Sequence, residues 1–221
     1  MRTTRSHPAA RTLAVAFTVI GLLGAIATSA AAQEPSVVRL RLDGIVDPFV
    51  ADHLQNGIAR AAESGATAVL IEIDTPGGLL SSTREITEAI LNAEVPVLCY
   101  VAPSGARAAS AGSFVLLACH VAAMAPGTNV GAATPVGLDG AVGSEKAVND
   151  AAASMRAIAE QHDRNADMAA SFVTHAVSIS AEQALRDDII DLIAPSTDAL
   201  LDEIDGTRVT LADGSRASLS T

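Results

Sequence analysis

The sequence predicts an α/β fold, a single domain with a mostly parallel sheet and helices packed on it. Three observations predict this. Apolar, β-branched runs alternate with segments of helical periodicity, as parallel strands joined by crossover helices require. The polar, glycine-bearing breaks fall at the ends of the apolar runs, where α/β proteins place their sites. The chain has 221 residues, 49% of them hydrophobic, enough for one well-packed domain and too few for two large ones.

Residues 1–32 stand apart from that domain. Arg2, Arg5 and Arg11 precede a charge-free stretch, 13–27, and then the sequence TSAAAQ. A basic start, an apolar region and an A-x-A site describe a secretory signal peptide, cut after Ala32. The alternative is an uncleaved anchor, since 13–32 is just long enough to span a bilayer. Both alternatives put the domain on the periplasmic or extracytoplasmic side of a membrane.

The elements follow in order. Residues 37–42 alternate in part and read as a first strand closed by Asp43-Gly44. Residues 47–64, with Pro48 near the start and Ser64-Gly65 at the close, read as a helix. ATAVLIEIDT is a strand that ends at Pro76-Gly77-Gly78, and 79–93 is a helix with Ser81 or Ser82 as its cap. A short strand over 95–101 leads into SGARAASAG, an apolar helix through Cys119, and a strand over 120–124. Helices follow over 144–163 and 166–175, and SAEQAL opens a short helix capped by Ser180. A late strand over 189–193 and a helix over 197–204 complete the domain, expected to occupy 33–205. The tail, 206–221, holds a turn signal at Asp213-Gly214 with no evident strand to pair.

Charge excludes one class of partner. Removing residues 1–32 takes away three arginines and no acid, moving the net charge from −11 to −14. Nucleic acid demands a basic surface, so none is expected as a partner. Cys99 and Cys119, the only cysteines, both lie in apolar runs and read as small core residues. No metal-ligand spacing is present and no Gly-x-x-x-x-Gly-Lys phosphate loop, so neither a metal nor another cofactor is expected.

Of the 14 basic residues, 13 are arginine and one is lysine, Lys146. Arginine keeps its proton at any ordinary pH, whereas a buried lysine can lose it. Lys146 is therefore either a residue left by chance or an amine that must become neutral. Ser110 stands before an apolar helix and is either an inert small residue or a hydroxyl held bare at a helix start. A serine hydroxyl is a weak nucleophile and needs a base in hydrogen-bond reach. A lysine desolvated among alanine and valine could take its proton and return it to a leaving amine. Glu145 or Asp150, if either approached the amine, would hold the proton on. The glycines of DTPGG and the N-terminal amides of the helix after Ser110 suit an oxyanion hole.

IEIDTPGG, then PSGARAASAG, then MAPGTNVGAATP resembles the ClpP-class serine proteases, and more closely the membrane-bound NfeD-type proteases related to signal peptide peptidase. The resemblance runs from the first strand to about residue 205. It implies a ClpP/crotonase-like spiral of ββα units, with Ser110 as nucleophile and Lys146 as general base. The amides of Gly78 and Ala111 are then the oxyanion donors. It further implies hydrophobic polypeptide substrates, including the tail of stomatin-like membrane proteins, and a homodimer or higher oligomer. A histidine of a Ser-His-Asp triad is expected near Ala133-Thr134 and is missing there, which favours the lysine dyad. His120 reads as structural, and His53, His162 and His175 as solvated or capping. The family continues into membrane helices and a small barrel, toward which the tail 206–221 would lead.

Substrate is expected to bind by strand addition, flanked by Gly77, Gly78 and Leu79 on one side and by Gly127 to Gly131 on the other. Leu79, Phe114 and Thr134 would line an apolar pocket for small or aliphatic side chains. Two other readings keep the fold. A crotonase-type acyl-CoA enzyme is disfavoured by the export signal and by the lack of a basic pocket for phosphates. A catalytically inactive scaffold binding a stomatin-like membrane partner is favoured if acids hold the charge on Lys146.

Overall fold

In the computed structural model, which describes residues 36–137 and 140–221, the sheet is organised around one long strand. The predicted signal segment, residues 1–32, lies outside the described residues. Strand β1 (Val37–Val46) pairs in parallel along one side of β2 (Ala68–Gly78). On its other side β2 pairs first with β3 (Val97–Val101), from Val69 to Ile73. At Thr75 it changes partner to β4 (Arg107–Ala108). From this switch the sheet runs two ways. One arm continues from β3 to β5 (Val121–Met124) and β8 (Leu192–Ile193), the other from β4 to β6 (Asn129–Gly131) and β7 (Ser178–Ser180). These pairings are parallel except β6 with β7. Changing partner part-way along β2 curls the parallel sheet, as the expected spiral requires.

Helices α1 (Pro48–Glu63), α2 (Leu80–Leu91), α3 (Ala111–Ala118), α4 (Glu145–Gln161), α5 (Ala166–Thr174), α6 (Ala181–Arg186) and α7 (Thr197–Ile204) fill the connections. Several begin where their caps dictate. Asp47 accepts from the Val50 N–H at 2.9 Å with Pro48 just inside α1, a position where the missing proline N–H costs nothing. Ser144, Ser180 and Ser196 cap α4, α6 and α7 in the same way.

Strand β3 shows why the central runs are apolar throughout. Val97, Cys99 and Val101 face one core with helices α1 to α6, while Leu98 and Tyr100 face a second core with Leu200, Ile204, Val209 and Leu219. A strand covered on both faces has no solvent side to carry polar residues. Tyr100 keeps its hydroxyl in this second core by donating to the Ala194 carbonyl at 2.7 Å, and burial raises its pKa.

Four local expectations are corrected. Strand β2 does not stop before the glycines but runs through Gly78, with Val46 opposite it. Leu79 therefore occupies the cap position of α2, because its N–H donates to the Val46 carbonyl at 2.8 Å, and Ser82 is buried inside the helix. The late strand is only Leu192–Ile193, since Ile189 N–H returns to the Ala184 carbonyl as α6 ends. Cys99 and Cys119 are not merely small core residues. They form a disulfide, Cα atoms 5.8 Å apart, that ties β3 to the end of α3.

The Asp213-Gly214 turn has its partner after all. Strands β9 (Arg208–Thr210) and β10 (Arg216–Ser218) pair around it, and Val209 and Leu219 seat the hairpin on the second core. Nearby, the Thr67 hydroxyl lies 3.0 Å from the Ser36 carbonyl and 2.8 Å from that of Ser220.

Candidate active site

Ser110 takes a backbone conformation unlike the other positive-φ side chains of the described residues. Its φ of 51° and ψ of −111° lie where an L-residue is strained and only glycine enters readily. Asp163, Ala176 and Asp188 also have positive φ, but each follows the end of a helix, where a left-handed residue closes the last turn. Ser110 instead precedes α3, and its side chain makes no cap bond. Its backbone is held on both sides: the Ser110 N–H donates to the Ala132 carbonyl at 2.8 Å, and the preceding Ala109 N–H to Thr75 at 3.1 Å. The result is a half-buried hydroxyl whose own backbone is tied down.

The DTPGG turn packs directly on that hydroxyl. Gly77 has φ 112°, and a Cβ placed on it would come within 2.5 Å of Ser110 Cβ and 3.0 Å of Ser110 Oγ. A Cβ on Gly78 would strike the Val46 carbonyl oxygen at 2.0 Å. The first glycine thus makes room for the serine and the second for β1. Two of the turn's amides have partners: Gly77 N–H donates to Thr75 Oγ1 at 3.0 Å and Leu79 N–H to the Val46 carbonyl. On α3, Gly112 and Ser113 N–H return to the carbonyls of Ala109 and Ser110, while Ala111 N–H, in the first turn, has no intrahelical acceptor.

Lys146 is in the first turn of α4, behind the Ser144 cap, and it is exposed rather than desolvated. The helical period explains this. Lys146 lies about 180° around the helix from Met155, which is on the buried face with Ala151 and Ile158. Among the described residues no hydrogen bond or ion pair joins Lys146 to Ser110 or to an acid. Asp150 is engaged elsewhere, by Arg84, and Glu145 is exposed.

The remaining expected residues divide. Leu79 is 45% exposed beside the turn, whereas Phe114 is buried in the core and the Thr134 hydroxyl is committed to the Val173 carbonyl at 2.7 Å. Gly127 sits in a turn, its carbonyl accepting from Gly105 at 3.1 Å. The segment after it offers no edge, because β6 is paired on one side with β4 and on the other with β7. Strand addition at 129–131 is therefore blocked. Beyond Thr75, however, β4 no longer covers β2, so the edge along Gly78-Leu79 on the Ser110 side carries no strand.

Several residues that shape the site escaped the sequence. Ser113, buried, donates to the Ala108 carbonyl at 2.8 Å and accepts from Gly131 N–H at 3.0 Å, joining β4 to β6 beneath Ser110. At the far end of α3, Arg164 donates to the carbonyls of Leu117 and Cys119 and to Asp191. His162 Nε2 lies 2.9 Å from the Ala118 carbonyl, which can only accept, so this nitrogen carries the proton. Burial and the neighbouring Arg164 charge push the His162 pKa down to about 4. His120 accepts from Val97 N–H at 3.1 Å and its pKa too is lowered by burial. It is structural, as expected, and His162 caps α4 while packing on α3.

The model of the family described as NfeD1b, N-terminal domain, matches residues 36–206. The membrane-bound protease PH1510 of Pyrococcus horikoshii is 34% identical over 173 residues, 76% of this chain and 39% of that protein. The membrane protein NfeD1b of Bacillus subtilis is 28% identical over 80% of this chain and 39% of its own. The chain thus spans about two fifths of the length of these relatives. Among solved structures, the membrane-bound stomatin-specific protease 1510-N, as a lysine-to-alanine mutant in complex with a substrate peptide, superposes with a TM-score of 0.80 at 31% identity. That match covers 85% of this chain and 88% of the other. ClpP1 from Listeria monocytogenes, at 19% identity and TM-score 0.60, covers 73% of this chain and 94% of its own and shares the fold. With its curled parallel sheet, a fold it shares with ClpP1, and its DTPGG turn set against Ser110, the chain belongs to the NfeD1b N-terminal domain family.

Proposed function

We propose that this chain is a serine endopeptidase that cleaves hydrophobic segments of membrane-associated proteins, the tail of a stomatin-like protein among them. The observation that carries the reading is Ser110, strained, uncapped and pressed against Gly77 at a helix start. Ser110 Oγ attacks the scissile carbonyl while Lys146 Nζ accepts its proton. The oxyanion that forms is met by the Gly78 and Ala111 amides. Alternation along β2 supports the first donor: Val46 is bonded by Leu79, so the Gly78 N–H is directed to the opposite side of the strand, toward Ser110. Lys146 returns the proton to the leaving amine, and a water then cleaves the acyl-enzyme by the same route in reverse.

The substrate chain adds along the open Gly78-Leu79 edge, with Leu79 against its side chains. Lys146 stands in solvent in the free chain, and an apolar segment lying over it would disfavour the charged amine. Substrate binding then completes the base. The solved relative named as stomatin-specific, and its structure as a lysine mutant in complex with a substrate peptide, support both the partner and the residue type. An exported location, a homodimer or larger assembly, and cleavage after Ala32 complete the proposal.

The test is hydrolysis of an apolar peptide in detergent by the wild-type chain and by Ser110→Ala and Lys146→Arg. Both variants are expected to fold and to lose activity by at least about three orders of magnitude. Arginine keeps the charge but cannot act as base, so equal cleavage by Lys146→Arg would remove it from the mechanism. The exposure of Lys146 favours one second reading, an inactive scaffold for a stomatin-like partner. Tight binding of the peptide by a wild-type chain that never cleaves it would select that reading.

A further inference from the structure

We infer that Thr75 is a positioning residue that locks the Gly77-Gly78 turn and the first turn of α3 into one geometry around Ser110. The inference rests on the peptidase reading above and assigns a role to a side chain that touches neither substrate nor the reacting atoms.

The register between β1 and β2 slips at this point: Asp43 faces Asp74, but Ile45 faces Gly77. One residue of β1, Gly44, is thus set against two of β2, and the regular ladder is interrupted. The Thr75 hydroxyl fills the gap. It donates to the Gly44 carbonyl at 2.5 Å and accepts from Gly77 N–H at 3.0 Å. This second bond engages the amide beside Gly78 and leaves the turn one way to fold.

The rest of Thr75 reaches the other half of the site. Its carbonyl accepts from Ala109 N–H at 3.1 Å, immediately before Ser110. Its methyl packs against α3 so closely that a Cβ at Gly112 would lie 2.6 Å from Thr75 Cγ2. Thr75 is fully buried, and its bond from Gly77 N–H is made away from water. One residue thereby touches β1, the glycine turn, the segment leading to the serine, and the helix whose first free amide belongs to Ala111.

If Thr75 only filled space, valine would replace it, having the same shape. If it positions the turn, serine is the better replacement, since it keeps the hydroxyl. The experiment compares Thr75→Val and Thr75→Ser with the wild-type chain by thermal unfolding, by kcat and KM on the apolar peptide, and by amide hydrogen exchange over residues 76–79 and 110–113. For Thr75→Val we expect kcat to fall about 10- to 100-fold with KM within twofold, and faster exchange in both segments. Thr75→Ser should keep kcat within a few-fold and preserve exchange. Equal kcat and equal exchange in Thr75→Val and wild type would overturn the inference, as would equal losses in both variants.

Exchange separates this inference from the peptidase reading. A wild-type chain without activity, combined with loosened amides in Thr75→Val alone, would remove the reading and leave the hold of Thr75 on the turn standing.

Discussion

At its N-terminal end α3 leaves its polar groups open: Ser110 is strained, makes no cap bond, and precedes an amide without an intrahelical acceptor. At its C-terminal end the last carbonyls are occupied. The carbonyls of Leu117, Ala118 and Cys119 are taken by Arg164 and His162, and the Cys119 side chain is bonded to Cys99. The Arg164 guanidinium at that end also answers the residual negative charge of the helix terminus. An eight-residue helix has little stability of its own. Its locked end holds it in place, and that allows the other end to keep groups unsatisfied, as the proposed chemistry requires.

This contrast can be broken from either side. The largest effect on stability is expected from Arg164→Met, which leaves the Leu117 and Cys119 carbonyls without partners and Asp191 without its counter-charge. The loss should be about 3 kcal/mol in chemical unfolding. A change below about 1 kcal/mol would mean that the far end of α3 is not what holds it. From the other side, Ser110→Gly removes the strain of a positive φ and the hydroxyl together. It should gain about 1 kcal/mol in stability while abolishing cleavage, and a destabilised Ser110→Gly would show that the conformation is not strained.

The smallest effect sharpens the comparison through pH. The folded state holds His162 neutral with a pKa of about 4, below the roughly 6.5 of an unfolded histidine. Between these values the unfolded chain binds the proton more readily. The contribution of His162 is therefore full above about pH 6.5 and is lost as pH falls toward 4. Melting temperatures of wild type and His162→Gln should accordingly converge as pH is lowered from 7.5 to 4.5. A constant difference across that range would assign the pH dependence to other groups.

The open end was legible in the sequence and the locked end was not. Ser110, Gly77 and Gly78 announce themselves because strand-to-helix breaks concentrate small residues where backbone must come close. Helices α1, α4 and α6 were read to within a residue or two because Asp47, Ser144 and Ser180 are caps with a local mechanism. Arg164 has no such signature. Its partners are carbonyls more than forty residues away, so only the tertiary fold makes it a buried residue. The disulfide was missed for the same reason, since two cysteines in apolar runs look alike whether or not they meet. The exposure of Lys146, by contrast, could have been found by projecting it around α4 against Met155.

Thr67 draws the carbonyls of Ser36 and Ser220 to one hydroxyl, at the start of β2, and the Gly77 turn is at the other end of that strand, roughly 30 Å away. A mechanical load applied between these two points of the chain would pass through a single side chain and a few neighbouring bonds rather than along the sheet. The domain can be tethered, pulled or fused at both places while Ser110, at the opposite pole, stays outside the path of the force.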